Sequence, residues 1–408
     1  MNKFLHRRGG SEAYMLELAA LQRQAGHDVT FFSMQHPDNE PAPLEQHFPT
    51  YLELNPAPAG VAGKLKAAAR MVWSSSSAAG MEKVIREFKP DVAHLHIIHH
   101  QLSPSILRPL AQHRVPSVMT LHDFKLACPT YHFLDKGKVC EACLGGKFQN
   151  AVLRRCKNGS LVESALLAGE LTLHTYFRAY APIQLFICPS RFIAAKMTEA
   201  GVFPDKLRVL PHFAQASGRG RTATLKKGLL FAGRLSVEKG VDLVVEALQW
   251  MDASTILDIA GEGPEQEKLE ELASRVAPGR VRFLGRLSKV ELQQHLDAAA
   301  VLAIPSRFYE NQPMIILEAF ASGVAVVGSD RGGVRELIEP GVDGLLVPPE
   351  DPRALATALN ALLSDTDRAA AMGRAGRVKV ERDYSIPGHL QGLDRLYAEA
   401  AELVTAAA

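Results

Sequence analysis

Arg234 and Lys239 stand close together in FAGRLSVEKG, 231–240, just after an apolar run that ends in glycine. Two fixed cations at the end of a strand suit a diphosphate, whose charge grows as an ester bond to it breaks. In AGEGPE, 260–265, Gly261 and Gly263 follow another apolar run and permit close backbone approach to a ligand. Gln266 interrupts what would be a full dinucleotide fingerprint. In SRFYENQPMIILEAFASG, 306–323, Glu310 and Glu318 have E-x7-E spacing across a loop that enters a helix near Gln312 and Pro313. The free N–H groups of a helix start favour an anion, and Glu318, further along, can accept hydrogen bonds from two vicinal ribose hydroxyls. SDRGGVRELI, 329–338, puts Gly332 and Gly333 at a further strand-to-helix turn, read as tight packing. Taken singly these are equally a solvated turn, packing glycines and a surface glutamate. Together they suit a nucleoside diphosphate joined to a sugar.

The elements that position these residues are short apolar, β-branched runs alternating with segments of helical period. In the first half the runs are 28–33, 91–97, 117–121, 185–189 and 207–210. In the second half they are 228–233, 255–260, 281–284, 300–304, 324–328 and 344–347. Nearly continuous apolar strands spaced by helices indicate buried parallel sheets, and two such series indicate two doubly wound α/β domains. The expected boundaries are 1–212, a polar linker at 213–227, 228–384, and a final amphipathic helix within 385–408 that packs back on the first domain. Ligands of open α/β sheets lie beyond the carboxyl ends of the strands, so the cleft between two such domains is the expected site.

The first half adds its own candidates. Gly9 and Gly10 precede an amphipathic stretch for which Ser11 is the expected N-cap. His122 and Asp123 follow the run at 117–121, where an imidazole can reach a sugar or diphosphate. His94, His96, His99 and His100 read as cleft lining or solvated histidines rather than metal ligands. Cys128, Cys140, Cys143 and Cys156 fall in a Cys-rich insertion at 125–160 and have the ligand set for a structural Zn²⁺. An Fe–S cluster, a redox C-x-x-C pair or unrelated thiols remain open alternatives. Cys188 lies in an apolar run and reads as core. Asp365-Thr366-Asp367 reads as a polar helix start.

Composition excludes several classes. The chain has 408 residues, 47% apolar and 22% charged, with net charge +2, so no basic field calls for nucleic acid. No apolar run reaches the roughly 18–20 residues of a membrane span, and MNKFLHRRGGSEAY lacks a signal-peptide core, so a cytoplasmic location is expected. The stretch 64–73, with Lys64, Lys66 and Arg70 beside Met71, Val72 and Trp73, reads as an ordinary helix with solvated cations. Its alternative is peripheral contact with the anionic inner membrane surface.

The order G-R-L…K-G, A-G-x-G-P, then E-x7-E resembles the retaining glycosyltransferases of family 4, with the GT-B fold of two Rossmann-like domains facing across a cleft. The resemblance implies a first, acceptor-side domain and a second, donor domain. It implies catalytic roles for His122, Arg234, Lys239 and Glu310. It gives donor contacts to Gly9, Gly10, Gly261, Gly263, Asn311, Gln312 and Glu318, with Asn311 and Gln312 offering backbone amides where the family carries Gly-Phe. It implies a UDP- or GDP-sugar donor, a saccharide or lipid-linked acceptor, and no divalent cation in catalysis. Surface polysaccharide or glycolipid synthesis is the implied setting. A GT-B synthase or phosphorylase on soluble glucan, and a non-catalytic sugar-binding subunit, are the rival readings. The family carries a full first strand where only MNKFLHRR stands here, which reads as a start codon assigned late, the alternative being a weakened centre of the first domain.

Overall fold

The computed structural model describes residues 1–54, 59–215 and 228–406. Residues 216–227, most of the expected linker, lie outside them. In the first half β1 (Ala93–Leu95), β2 (Ser117–Thr120), the hairpin β3 (Leu134–Asp135) with β4 (Lys138–Val139), β5 (Leu185–Cys188) and β6 (Leu207–Val209) follow one another. All but the hairpin form one parallel sheet in the order β1-β2-β5-β6.

The expected strand at 28–33 forms no regular ladder. The N-terminal residues nonetheless fill the place between it and β1. Asn2 N–H donates to the Phe32 carbonyl (3.1 Å), Lys3 N–H to Ile97 (2.9 Å) and His96 N–H to Met1 (2.9 Å). Below Met1 the neighbours part around a cavity of about 630 Å³ lined by Val29, Phe31, Met81 and Ala93.

The second half contains β7 (Leu229–Ala232), β8 (Leu257–Ala260), β9 (Val281–Gly285), β10 (Val301–Ile304), β11 (Ala325–Ser329) and β12 (Gly344–Val347). Their spatial order is β9-β8-β7-β10-β11-β12, all parallel. This is the doubly wound order, with its switch point between β7 and β10. Both faces of the sheet are covered. Leu229 and Phe231 enter the core on one side, Leu230 and Ala232 the core on the other. That double burial explains why these strands read as unbroken apolar runs rather than alternating ones.

The helix Ile386–Ala406 leaves the second domain and lays Leu393 and Ala400 against Tyr14, Leu18, Val118, Leu185 and Ile187 of the first. One polar bridge is built into this apolar seam. His389 Nδ1 donates to the Pro211 carbonyl (2.7 Å), so its Nε2 is left to accept from the Tyr14 hydroxyl (2.9 Å). Burial pushes the His389 imidazole down to about 4, which keeps it neutral and able to accept. Tyr14→Phe leaves that buried nitrogen unpaired and is expected to cost about 1–3 kcal/mol in denaturant unfolding. An unchanged unfolding midpoint would show that the bridge carries no weight.

Candidate functional site at the domain seam

The loops that follow β7 and β10 are neighbours at the switch point, and between them they carry Arg234, Lys239 and Glu310. Lys239 Nζ lies 2.7 Å from Glu310 Oε1, which also accepts from the buried Ser306 hydroxyl at 2.7 Å. Arg307 braces the same pair of loops with two bonds to Asp242 (2.6 and 2.7 Å). Arg234 is solvent-exposed and its guanidinium has no side-chain partner among the described residues. Beside it, the buried Ser236 hydroxyl has no partner either. A free cation, a second cation held by a carboxylate and an orphaned hydroxyl form a set of groups suited to an anionic ligand.

Glycines set how closely these loops stack. A Cβ on Gly333 would fall 1.7 Å from the Asn311 carbonyl oxygen, and Gly333 N–H donates to the Glu310 carbonyl (2.8 Å). The pair Gly332-Gly333 therefore cradles the backbone that presents Glu310, a role the sequence signalled only as tight packing. Gly261 and Gly263 also serve close approach, but here to protein. Their Cβ atoms would meet the carbonyls of Gly233 and Leu235 at 1.9 and 2.1 Å, so they seat the Arg234 loop on the loop after β8.

Asn311 and Gln312 do more than offer backbone amides: their side chains cross the seam. Asn311 Nδ2 donates to the Leu121 carbonyl (2.6 Å) and its Oδ1 accepts from Ser190 (3.0 Å). Gln312 Oε1 accepts from the His212 N–H (2.6 Å). Glu336 adds a third bridge, its carboxylate accepting the first free amides of the helix Arg191–Glu199 at Arg191 and Phe192, both 2.9 Å. Sequence gave no sign of Glu336 or of His212, because their partners lie a hundred positions or more away.

His122 sits half-buried on the first-domain side of the seam, one residue past Leu121. It hydrogen-bonds His96 (Nε2 to Nδ1, 3.0 Å) and stacks on His212 at 5.4 Å. Burial pushes it down to about 3, so the ring is neutral and presents one donor and one acceptor nitrogen. Of the two expectations for the 94–100 histidines, solvated positions are overturned, while His96 and His99 line a small pocket together with His122. His96, His99 and His100 are buried, and His94 bonds Tyr397 and Thr120. Carboxylates from distant segments partner them: His100 bonds Glu170 (3.0 Å) and His99 lies 3.5 Å from Asp123. Ser11 also departs from expectation. The helix Gly10–Gln24 is capped by Gly9, and Ser11 lies in its first turn with its hydroxyl on Glu12 (3.1 Å). Gly10 leaves open space at that helix start, and a Cβ on Gly9 would only touch Glu12 Oε2 at 3.6 Å.

Glu318, on the helix Met314–Ala321, lines a seam cavity of about 540 Å³ with Glu17, Lys289, Phe213 and Met314. Burial, and then the Glu17 carboxylate, push its pKa up. The four cysteines share one neighbourhood. Burial and then the neighbouring thiols raise Cys143 to about 12, burial and then the Asp135 carboxylate raise Cys156 to about 11, and no disulfide joins any of them. Among the described residues, however, no group of three or more His, Cys, Asp or Glu is arranged to hold a metal ion. Glu141, within the C-x-x-C, instead bonds Lys196 (2.7 Å) and the Tyr309 hydroxyl, beside Glu310. Asp365 caps the helix Thr366–Asp383, accepting from Arg368 N–H (2.9 Å).

Comparison with known proteins adds independent information. The family model described as Glycosyltransferase Family 4 matches residues 8–215, and that described as Glycosyl transferases group 1 matches 226–365. A glycogen synthase of Mycobacterium tuberculosis is 36% identical over 173 residues, 41% of each chain. A GDP-mannose-dependent monoacylated alpha-(1-6)-phosphatidylinositol monomannoside mannosyltransferase of Corynebacterium glutamicum is 34% identical over 42% of this chain and 49% of its own. The chain thus spans less than half the length of these curated relatives in the matched stretch. Among solved structures, Anabaena HepE in complex with UDP superposes with a TM-score of 0.66 at 18% identity, covering 97% of this chain and 98% of that one. Sucrose-phosphate synthase from Thermosynechococcus elongatus gives 0.71 at 20% identity, covering 100% and 96%. At these identities the likeness establishes the GT-B fold.

Two outcomes follow from the seam. Asn311→Gly removes two bridges worth about 1 kcal/mol each, and small-angle scattering should report a larger radius of gyration than for the unaltered protein; an unchanged radius would contradict the bridging role. The buried imidazoles give a second. Unfolded, they titrate near 6.5; folded, His100 and His389 stay neutral to about 4 and His122 to about 3. Below pH 6.5 the unfolded chain binds more protons, so stability falls as pH drops from there towards 4 and is flat just above. A melting temperature that holds constant from pH 7 to pH 4.5 would refute this.

Proposed function

Because the chain belongs to glycosyltransferase family 4, we propose that it transfers a sugar from a UDP- or GDP-sugar to an acceptor hydroxyl with retention of anomeric configuration. The observation that carries this reading is the pairing of Lys239 with Glu310 at the switch point of the second sheet, with Arg234 free beside them. In this reading Arg234 and Lys239 hold the donor diphosphate and stabilise the charge that it gains as the bond to the sugar breaks. The two cations do the work of a divalent metal. Glu310, buried and fixed by Ser306, faces the hydroxyls of the transferred sugar, and Glu318 accepts the ribose diol. Neutral His122 donates to, or accepts from, a sugar hydroxyl from the opposite wall.

Relatives support both donor bases: HepE has been solved with UDP and with UDP-glucose, and the corynebacterial relative is named for GDP-mannose. The acceptor is a saccharide or a lipid-linked glycan in polysaccharide or glycolipid synthesis. Donor turnover measured with a chelator present is expected to persist, and Arg234→Ala with Lys239→Ala to lower it about 10²–10³-fold per lost contact. Loss of turnover on chelation, restored by Mn²⁺, would overturn the metal-free mechanism. Turnover untouched by the double substitution would remove the two cations from the site.

A further inference from the structure

Two helices of the first domain turn apolar side chains to solvent. On Leu161–Tyr176, Val162, Leu166, Leu173 and Tyr176 fall on one stripe, 77, 36, 41 and 79% exposed, and Phe177 continues it at 71%. The opposite face of this helix is buried through Leu167, Ala168 and Leu171. On Gly60–Val72, Val61 and Leu65 point outward one turn apart, and Trp73 ends the row. The helices are in contact: His174 Nε2 donates to the Val72 carbonyl at 2.9 Å. A scattered exposed leucine needs no account, but an outward stripe along one helix, continued by its neighbour, marks a surface made to be covered.

Charge selects what covers it. The helix Gly60–Val72 has no carboxylate and exposes Lys64 and Lys66 beside Leu65. Exposed Arg155 and Arg178 stand at either end of the second helix, whose outward face holds one acidic residue, Glu163. Apolar side chains ringed by cations match the boundary of a bilayer whose headgroups are anionic. We propose that this two-helix face docks the protein on an anionic lipid surface.

The same helix connects the face to the seam. On its buried side Glu170 bonds Lys125 (2.9 Å) and His100 (3.0 Å), and Lys125 follows His122 and Asp123. Docking through the outer face therefore brings the first-domain wall of the cleft towards the headgroups, where a lipid-borne acceptor would present its hydroxyl. The surface stands without the transferase reading; only this link to the acceptor rests on it.

Co-sedimentation of the full chain with vesicles of phosphatidylcholine, alone or mixed with phosphatidylglycerol, tests the surface. Binding is expected to the mixed vesicles, to weaken as salt is raised, and to fall several-fold in Lys64→Glu/Lys66→Glu. Val162→Asp/Tyr176→Asp alters only exposed positions and is expected to abolish binding with an unchanged melting temperature. Its stabilisation by a nucleoside diphosphate should also be retained, which separates this test from that of the donor site. No binding to mixed vesicles, or equal binding to both kinds, would overturn the proposal. So would a wild-type dimer in light scattering that Val162→Asp/Tyr176→Asp converts to monomer, since the face would then join two copies of the chain.

Discussion

The ion pair between Lys239 and Glu310 is the contact on which the rest of the site depends. It joins loops from strands that are adjacent in space but separated by more than sixty residues in the chain. Glu310 is buried, and a buried carboxylate without a partner is costly, so the lysine must stand where it does while no other group serves. Everything around the pair limits its movement: Ser306 holds the same carboxylate oxygen, Arg307 ties the loops below, and Gly333 admits the Asn311 carbonyl so closely that no side chain fits. In the proposed reaction a diphosphate offers Lys239 a second anion and sugar hydroxyls offer Glu310 new donors. A site whose charges already satisfy each other thus exchanges partners instead of building charge from nothing.

Across the seam the structure adds a second kind of constraint, made of uncharged contacts. Asn311 and Gln312 lead directly from Glu310 to the Leu121 carbonyl and to His212, so the carboxylate on one domain and His122 on the other are held through a few hydrogen bonds. The histidines there are neutral because burial disfavours their charged forms, and a neutral ring can both donate and accept. A cationic wall facing a diphosphate would bind it as a second anchor; a neutral one leaves that task to Arg234 and Lys239.

How much of this could be read from the chain depended on how local the signal was. All six strands of the second sheet lie within a residue or two of the apolar runs, because strands buried on both faces leave an unmistakable pattern. The first domain was less legible at 28–33, where the apolar run forms no regular ladder. The phosphate-suited loops were legible as motifs. What their glycines touch was not: Gly261 and Gly263 meet the backbone of Gly233 and Leu235, a contact between strands that sequence cannot register. Ser11 had the composition of an N-cap, yet Gly9 stands at that position and Ser11 lies one residue inside the helix. The histidine run from 94 to 100 appeared carboxylate-free only because Glu170 and Asp123 come from elsewhere in the chain.

The most direct test of the account is a crystal structure with a nucleoside diphosphate bound in the absence of divalent metal. The account predicts diphosphate oxygens within hydrogen-bond distance of Lys239 and Arg234, the ribose hydroxyls on Glu318, and Glu310 facing the space where the sugar would sit. A nucleotide bound elsewhere, with the Lys239–Glu310 pair undisturbed and Arg234 still free, would contradict it.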